Sequence, residues 1–134
     1  DAGLEFDNAE SDQFELSGGG PADCTVQNTG NRSAVDVRIL IYAEGGDITD
    51  LVITGPNSTN LSYDGVIDAG STLTIDGGNL SVLNDADDAY ADFTVSSLNE
   101  YWIELSTGDN DFTFTWSGTA TAMIITFRFY DGWA

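Results

Sequence analysis

Apolar residues recur at every second position through most of this chain, and that period restricts the fold more than any other feature. Val35, Val37, Ile39 and Ile41 stand on one side of an extended run, while Asp36, Arg38 and Tyr42 stand on the other. Phe112, Phe114 and Trp116 repeat the pattern. From Ala120 to Tyr130, Ile125, Phe127 and Phe129 share one face against Ile124, Thr126 and Arg128. Successive side chains of a strand point to opposite faces, so each run buries one face and wets the other. Val, Ile, Thr, Phe and Tyr fill the alternating positions, as pleated, half-buried surfaces favour. No window of ten residues carries a helical period.

Beyond these three runs, shorter strands are predicted near 23–28, 48–54, 59–63, 71–76, 80–83, 90–96 and 100–106. Punctuation such as Glu44-Gly45-Gly46-Asp47, Gly55-Pro56-Asn57 and Asp76-Gly77-Gly78-Asn79 separates them. The runs 112–117 and 120–130 are expected to pair across the Ser117-Gly118 turn. About nine or ten short strands at this spacing predict an all-β fold, an antiparallel β-sandwich of Ig-like or jelly-roll type, with a barrel as the second choice.

One break in composition, Gly18-Gly19-Gly20-Pro21, divides an extended N-terminal arm and glycine linker (1–20) from the sandwich domain (21–134). The arm carries Leu4, Phe6, Phe14 and Leu16 on one parity, with another strand predicted at 13–17. Either it is the first strand of its own sheet behind an acidic tail, or it leaves the domain and completes the sheet of a neighbour. The second reading makes residues 1–17 an assembly arm, since strand addition satisfies an open edge and buries side chains together.

Three arginines, no lysine, no histidine and 23 carboxylates give a net charge of −20 on 134 residues. Such a chain repels itself in dilute buffer, and strong counterion screening is needed to keep it compact; high salt is therefore expected to be required. Yet 41% of residues are hydrophobic and 11% aromatic, which with the regular spacing predicts a packed core rather than disorder. The length suits one domain that needs no disulfide. Cys24, the lone cysteine, alternates with Val26 and reads as a buried, inert thiol.

Nucleic acid is excluded as a partner, because counterion release at phosphates needs clustered Lys and Arg. The longest apolar run, Ile39-Leu40-Ile41-Tyr42-Ala43, is far short of the ~20 residues of a membrane helix. The chain opens at Asp1 rather than Met, from which removal of a secretory leader is expected. The sequons at Asn31, Asn57, Asn60 and Asn79 point the same way, to a cell exterior where they can carry glycans.

Without His or Lys, and with its thiol buried, the chain cannot assemble a Ser-His-Asp triad, a Cys-His pair, a Schiff base or a histidine zinc site. Carboxylates alone could serve a glycosidase, but among 23 acids some pair lies close in any fold, so no enzyme is expected. The densest acidic segment, 84–92, spaces Asp85, Asp87, Asp88 and Asp92 like the opening of a calcium loop. It lacks the glycine and terminal glutamate of an EF-hand, and stands between a Ca2+ or Mg2+ site and a solvated loop. No other cofactor is implied. Trp102, opposite in parity to Tyr101 and Ile103, and Trp133, near the C-terminus, are candidate interface aromatics. With Trp116, Tyr63, Tyr101 and Tyr130 they could also form a platform for sugar rings.

The stretch Val26-Gln27-Asn28-Thr29-Gly30-Asn31-Arg32-Ser33 with the run 34–42 resembles the strand–turn–strand opening of Ig-like domains in haloarchaeal surface proteins. Ile67-Asp68-Ala69-Gly70-Ser71-Thr72-Leu73-Thr74-Ile75 is similar to the turn and strand that follow there. The resemblance implies a secreted structural subunit of an extracellular haloarchaeal filament or pilus, a homopolymer of this chain. The sequence lacks the N-terminal hydrophobic helix of archaellins and type IV pilins, so assembly is expected to run through β-strand addition. Two alternatives stand: a capsid or decoration protein on the surface of a haloarchaeal virus, and an extracellular carbohydrate-binding module.

Overall fold

The computed structural model describes residues 9–17, 22–96 and 101–130. Eleven strands follow in order: β1 (Ala9–Ser17), β2 (Ala22–Asn28), β3 (Arg38–Glu44), β4 (Ile48–Thr54), β5 (Asn60–Tyr63), β6 (Thr72–Asp76), β7 (Ser81–Asn84), β8 (Asp87–Asp88), β9 (Phe93–Val95), β10 (Gly108–Gly118) and β11 (Ala122–Tyr130). One 3-10 turn, Tyr90–Asp92, precedes β9, and no α-helix occurs among the described residues. The strands form two antiparallel sheets, one of six in the order β1-β11-β3-β6-β7-β8 and one of five in the order β2-β10-β4-β5-β9. The all-β sandwich expected from the alternation is therefore what forms. Both sheets stay open-edged, so the barrel alternative falls.

The alternating apolar residues turn inward from both sheets. Ile39, Ile41, Leu73, Ile75, Met123, Ile125 and Phe127 from the larger sheet, and Val26, Leu61, Phe112 and Phe114 from the smaller, have no exposed surface at all. Phe127 is the point where the layers lock. Its ring centroid lies 4.8 Å from that of Phe112 and 6.3 Å from that of Phe114, both across the sandwich.

The expected hairpin between 112–117 and 120–130 does not exist. β10 lies between β2 and β4 in one sheet, and β11 between β1 and β3 in the other. The chain crosses from sheet to sheet at 118–121, and the β3–β4 connection crosses beside it. Thr119 and Ala120 N–H both donate to Asp47 O (2.9 and 3.0 Å), Thr121 N–H to Glu44 O (2.8 Å), and Asp47 N–H to Thr119 Oγ1 (3.0 Å). Gly118 takes φ +109°, and a Cβ there would collide with Asp47 O, so only glycine fits this crossing. Two further expectations fail locally. Residues 101–106 form no strand beyond a single bridge between Ala34 and Leu105, and the segment near 90–96 begins as the 3-10 turn.

Two buried asparagines fix the loops at one end of the sandwich. Asn110, 1% exposed, donates through Nδ2 to Val26 O, Ser106 O and Gly108 O, and its Oδ1 accepts from Ser106 N–H. Asn28, also 1% exposed, donates to Arg32 O and Leu105 O and accepts from Gly30 N–H. A leucine at 110 strands buried backbone groups. Asn110→Leu is expected to lower the unfolding free energy by about 1–3 kcal/mol, measured by denaturant titration in molar salt. An unchanged midpoint would mean that water takes over these bonds.

Candidate assembly edge

The N-terminal segment, for which both a strand of its own sheet and an arm to a neighbour stood open, is over Ala9–Ser17 the edge strand of its own six-stranded sheet. It pairs with β11 through nine residue positions, from Ala9↔Tyr130 to Ser17↔Ala122. Phe14 and Leu16 turn inward and are half-buried against the core. Phe14 meets Phe127 edge-on, with centroids 6.1 Å apart and planes at 84°. Leu4 and Phe6 lie outside the described residues.

β1 and β2 are the long edges of the two sheets, and they lie on the same side of the sandwich. The opposite edges are short, two residues of β8 and three of β9, which gives little backbone for another chain to pair with. β2 is tied to β10 by hydroxyl–carboxylate bonds on its outer face, Thr25 Oγ1 donating to Asp111 Oδ1 (2.7 Å) and Thr113 Oγ1 to Asp23 Oδ1 (2.8 Å). Among the described side chains of β1, Gln13 Nε2 donates to Thr126 Oγ1 at 3.4 Å.

Other residues singled out in the sequence are placed as follows. Asp85, Asp87, Asp88 and Asp92 are not brought together, and the described residues hold no group of three potential metal ligands. Asp85 sits at φ 54° in the β7–β8 turn with Oδ1 accepting from Thr72 N–H; Asp88 Oδ1 accepts from Tyr90 N–H. Asp87 and Asp88 are successive strand residues and so face opposite ways. The hydrogen bonds from Thr72 N–H and the Ser71 side chain hold the Asp85 carboxyl below its usual range. Asp85 and Asp88 thus act as turn acceptors for backbone N–H groups.

Trp102 is no surface aromatic either. It is 7% exposed, at φ 65°, with its ring 5.1 Å from Phe93 and 6.1 Å from Tyr90. Trp116 and Tyr63 are buried as well, while Tyr101 is 42% exposed; Trp133 lies outside the described residues. All four sequon asparagines, Asn31, Asn57, Asn60 and Asn79, are exposed. Asn57 Nδ2 donates to Glu104 O and Ser106 Oγ, and Asn79 Nδ2 to Asp76 Oδ2, so a glycan on either would displace those bonds. Cys24 is buried as expected. Burial, then the carboxylates of Asp23 and Asp111, push its thiol up to about 12, which leaves it without nucleophilic thiolate near neutrality.

One arrangement escaped the sequence reading. The exposed face of β3 and the exposed face of β11 are neighbours, and Arg38 stands directly opposite Arg128. Shared parity in two runs was the only signal, and register was needed to join them.

No protein-family model matches this chain, and no curated protein is similar to it in sequence. Among solved structures, its fold is similar to the Dit protein of phage SPP1, described as a paradigm of the hub adsorption apparatus in phages infecting Gram-positive bacteria. Identity is 13% and the TM-score 0.55, with 89% of this chain and 46% of that one covered, so the chain spans about half the length of Dit. Weaker likenesses are to a Caenorhabditis elegans galectin (11% identity, TM-score 0.37, covering 87% and 94%) and to infectious bursal disease virus (8%, 0.34, covering 94% and 33%). At these identities the likeness is one of fold alone.

Proposed function

We propose that this chain is a non-enzymatic structural subunit of an extracellular assembly of many copies, a filament or pilus at a haloarchaeal surface, whose neighbours are joined by exchange of β1. The observation that carries the reading is the state of that strand. It follows β11 through nine pairs, yet its described side-chain fastening is one ring contact, one half-buried leucine and one long hydrogen bond. A strand that returns to the same groove in another copy keeps every native pairing, so exchange costs little beyond association itself. The triglycine before Pro21 supplies the turn chemistry an exchange needs. Salt then acts as the switch: with −20 on each copy, neighbours approach only where counterions screen them.

The test is a disulfide between the opposed residues Gln13 and Thr126. In the variant Gln13→Cys/Thr126→Cys, oxidised after assembly in molar salt, exchange links separate chains into a ladder on a non-reducing gel. Native Cys24, buried and with its thiol held protonated, stays silent. Only internally bridged single chains recovered from intact polymer would overturn strand exchange.

A second reading, a component of a virion, is favoured by the likeness in fold to Dit, described as a paradigm of a phage hub adsorption apparatus. Closed rings or shells in electron micrographs of the purified chain would support it over an open filament.

A further inference from the structure

The outer faces of the two sheets differ in kind. On the six-stranded sheet, register places three rows across the strands: Glu15, Ile124, Tyr42, Thr72; then Gln13, Thr126, Leu40, Thr74, Leu83; then Arg128, Arg38, Asp76. Two of the chain's three cations therefore stand side by side, next to an apolar strip in which Tyr42 is 37% and Leu83 39% exposed. Carboxylates keep to the margins of this face: Glu15 on β1, Glu44 at the end of β3 and Asp88 on β8. Asp76, the exception, has a side chain 10% exposed and is held by Arg38 at 3.3 Å and by Gly78 and Asn79. Like charges directly opposed across a strand pair destabilise it, so the stability of a single copy gives no reason for Arg128 to face Arg38.

On the five-stranded sheet the outer rows are Gln27, Asp109; Thr25, Asp111; Asp23, Thr113, Thr54, Asn60; and Thr115, Val52, Ser62, Thr94. This face carries acids and hydroxyls and no cation. Asp109 and Asp111, two apart on β10, stand about 7 Å apart along the strand, and neighbouring strands lie about 4.8 Å apart, a spacing that two long guanidinium side chains on β3 and β11 can match.

We propose that the outer face of the six-stranded sheet takes a second copy of this chain, seated by its acidic five-stranded face, with Arg38 and Arg128 reaching Asp109 and Asp111. The two surfaces lie on opposite sides of one sandwich. The contact is therefore head-to-tail and propagates as a stack instead of closing as a dimer. It deepens the assembly reading, on which it rests, by adding an axis that strand exchange at the sheet edge does not supply. Molar salt is compatible with it: at a screening length of about 3 Å long-range repulsion vanishes, while ion pairs in direct contact and the apolar strip persist.

The decisive variant is Arg128→Glu, which also removes the like-charge opposition to Arg38 and so leaves the fold at least as stable. By sedimentation in molar salt it should weaken association about tenfold or more, with an unchanged melting curve. Asp111→Arg should weaken it likewise, and mixing the two variants should restore it. A folded Arg128→Glu chain that associates like the parent overturns the stack, as does a mixture no better than its components. The disulfide ladder at Gln13 and Thr126 separates the two modes. Its persistence in Arg128→Glu as short oligomers supports both; its absence while stacking survives overturns strand exchange alone. A parent chain that stays monomeric at every concentration in molar salt overturns the stack together with the proposed function.

Discussion

Replacing Phe127 by alanine is expected to lower the unfolding free energy by about 3–5 kcal/mol, the usual range for deleting a fully buried phenylalanine. The ring has no exposed surface, and it belongs to β11 while touching Phe112 and Phe114 of β10 across the sandwich and Phe14 of β1 beside it. Removal takes away transfer energy and leaves a hole bounded by three rings held on two other strands, β10 and β1. Those strands cannot both close in, because each is fixed by its own ladder. Against a total stability of about 5–15 kcal/mol, the loss is large enough to halve it in an ordinary domain. Denaturant titration in molar salt measures it. A loss below about 1 kcal/mol would mean that the two sheets collapse around the gap, and that Phe127 is not what holds them in register. The same variant should free β1, whose Phe14 loses its seat.

Dilution from about 3 M to about 0.1 M salt is expected to abolish the cooperative fold. The screening length grows from under 3 Å to about 10 Å over that range, so carboxylates that ignored one another begin to repel across the whole surface. The chain has little to answer with: three arginines stand against 23 acids, and one of them, Arg38, pairs with Asp76 through a half-exposed side chain. Cys24 reports the transition. At 6% exposure, and with its thiol pushed up to about 12, it should resist alkylation in high salt and react rapidly once the strands separate. Labelling followed by mass spectrometry, with circular dichroism alongside, gives the midpoint. Equally slow labelling and an unchanged spectrum at low salt would show that packing outweighs the charge.

The contrast between the two asparagine anchors and the acidic turn explains part of what was legible in advance. Asn28 and Asn110 lie on the inward parity of β2 and β10 and looked, in sequence, like any polar residue near a turn; only the arrival of residues 105 and 106 at the ends of those strands supplies their partners. Asp85, Asp87, Asp88 and Asp92 looked like a ligand set because spacing along the chain was all that could be read. Backbone direction at Asp85 and the alternation at Asp87 and Asp88 disperse them.

Alternation by itself determined the class of fold, most of the strands and the side chains that turn inward from them, including the thiol of Cys24 and the aromatic faces of β10 and β11. The pleat is a property of a few consecutive residues, so whichever partner a strand finds, the same side chains turn inward. Partnership is not local. That β10 and β11 lie in opposite sheets follows from the crossing at Gly118 beside Asp47, that Ala9–Ser17 lies along β11 follows from which groove remains open, and that Arg38 faces Arg128 follows from a register set at neither residue. Those relations depend on contacts between segments far apart in the chain, whose cost and reward are settled only when both sheets close on one another.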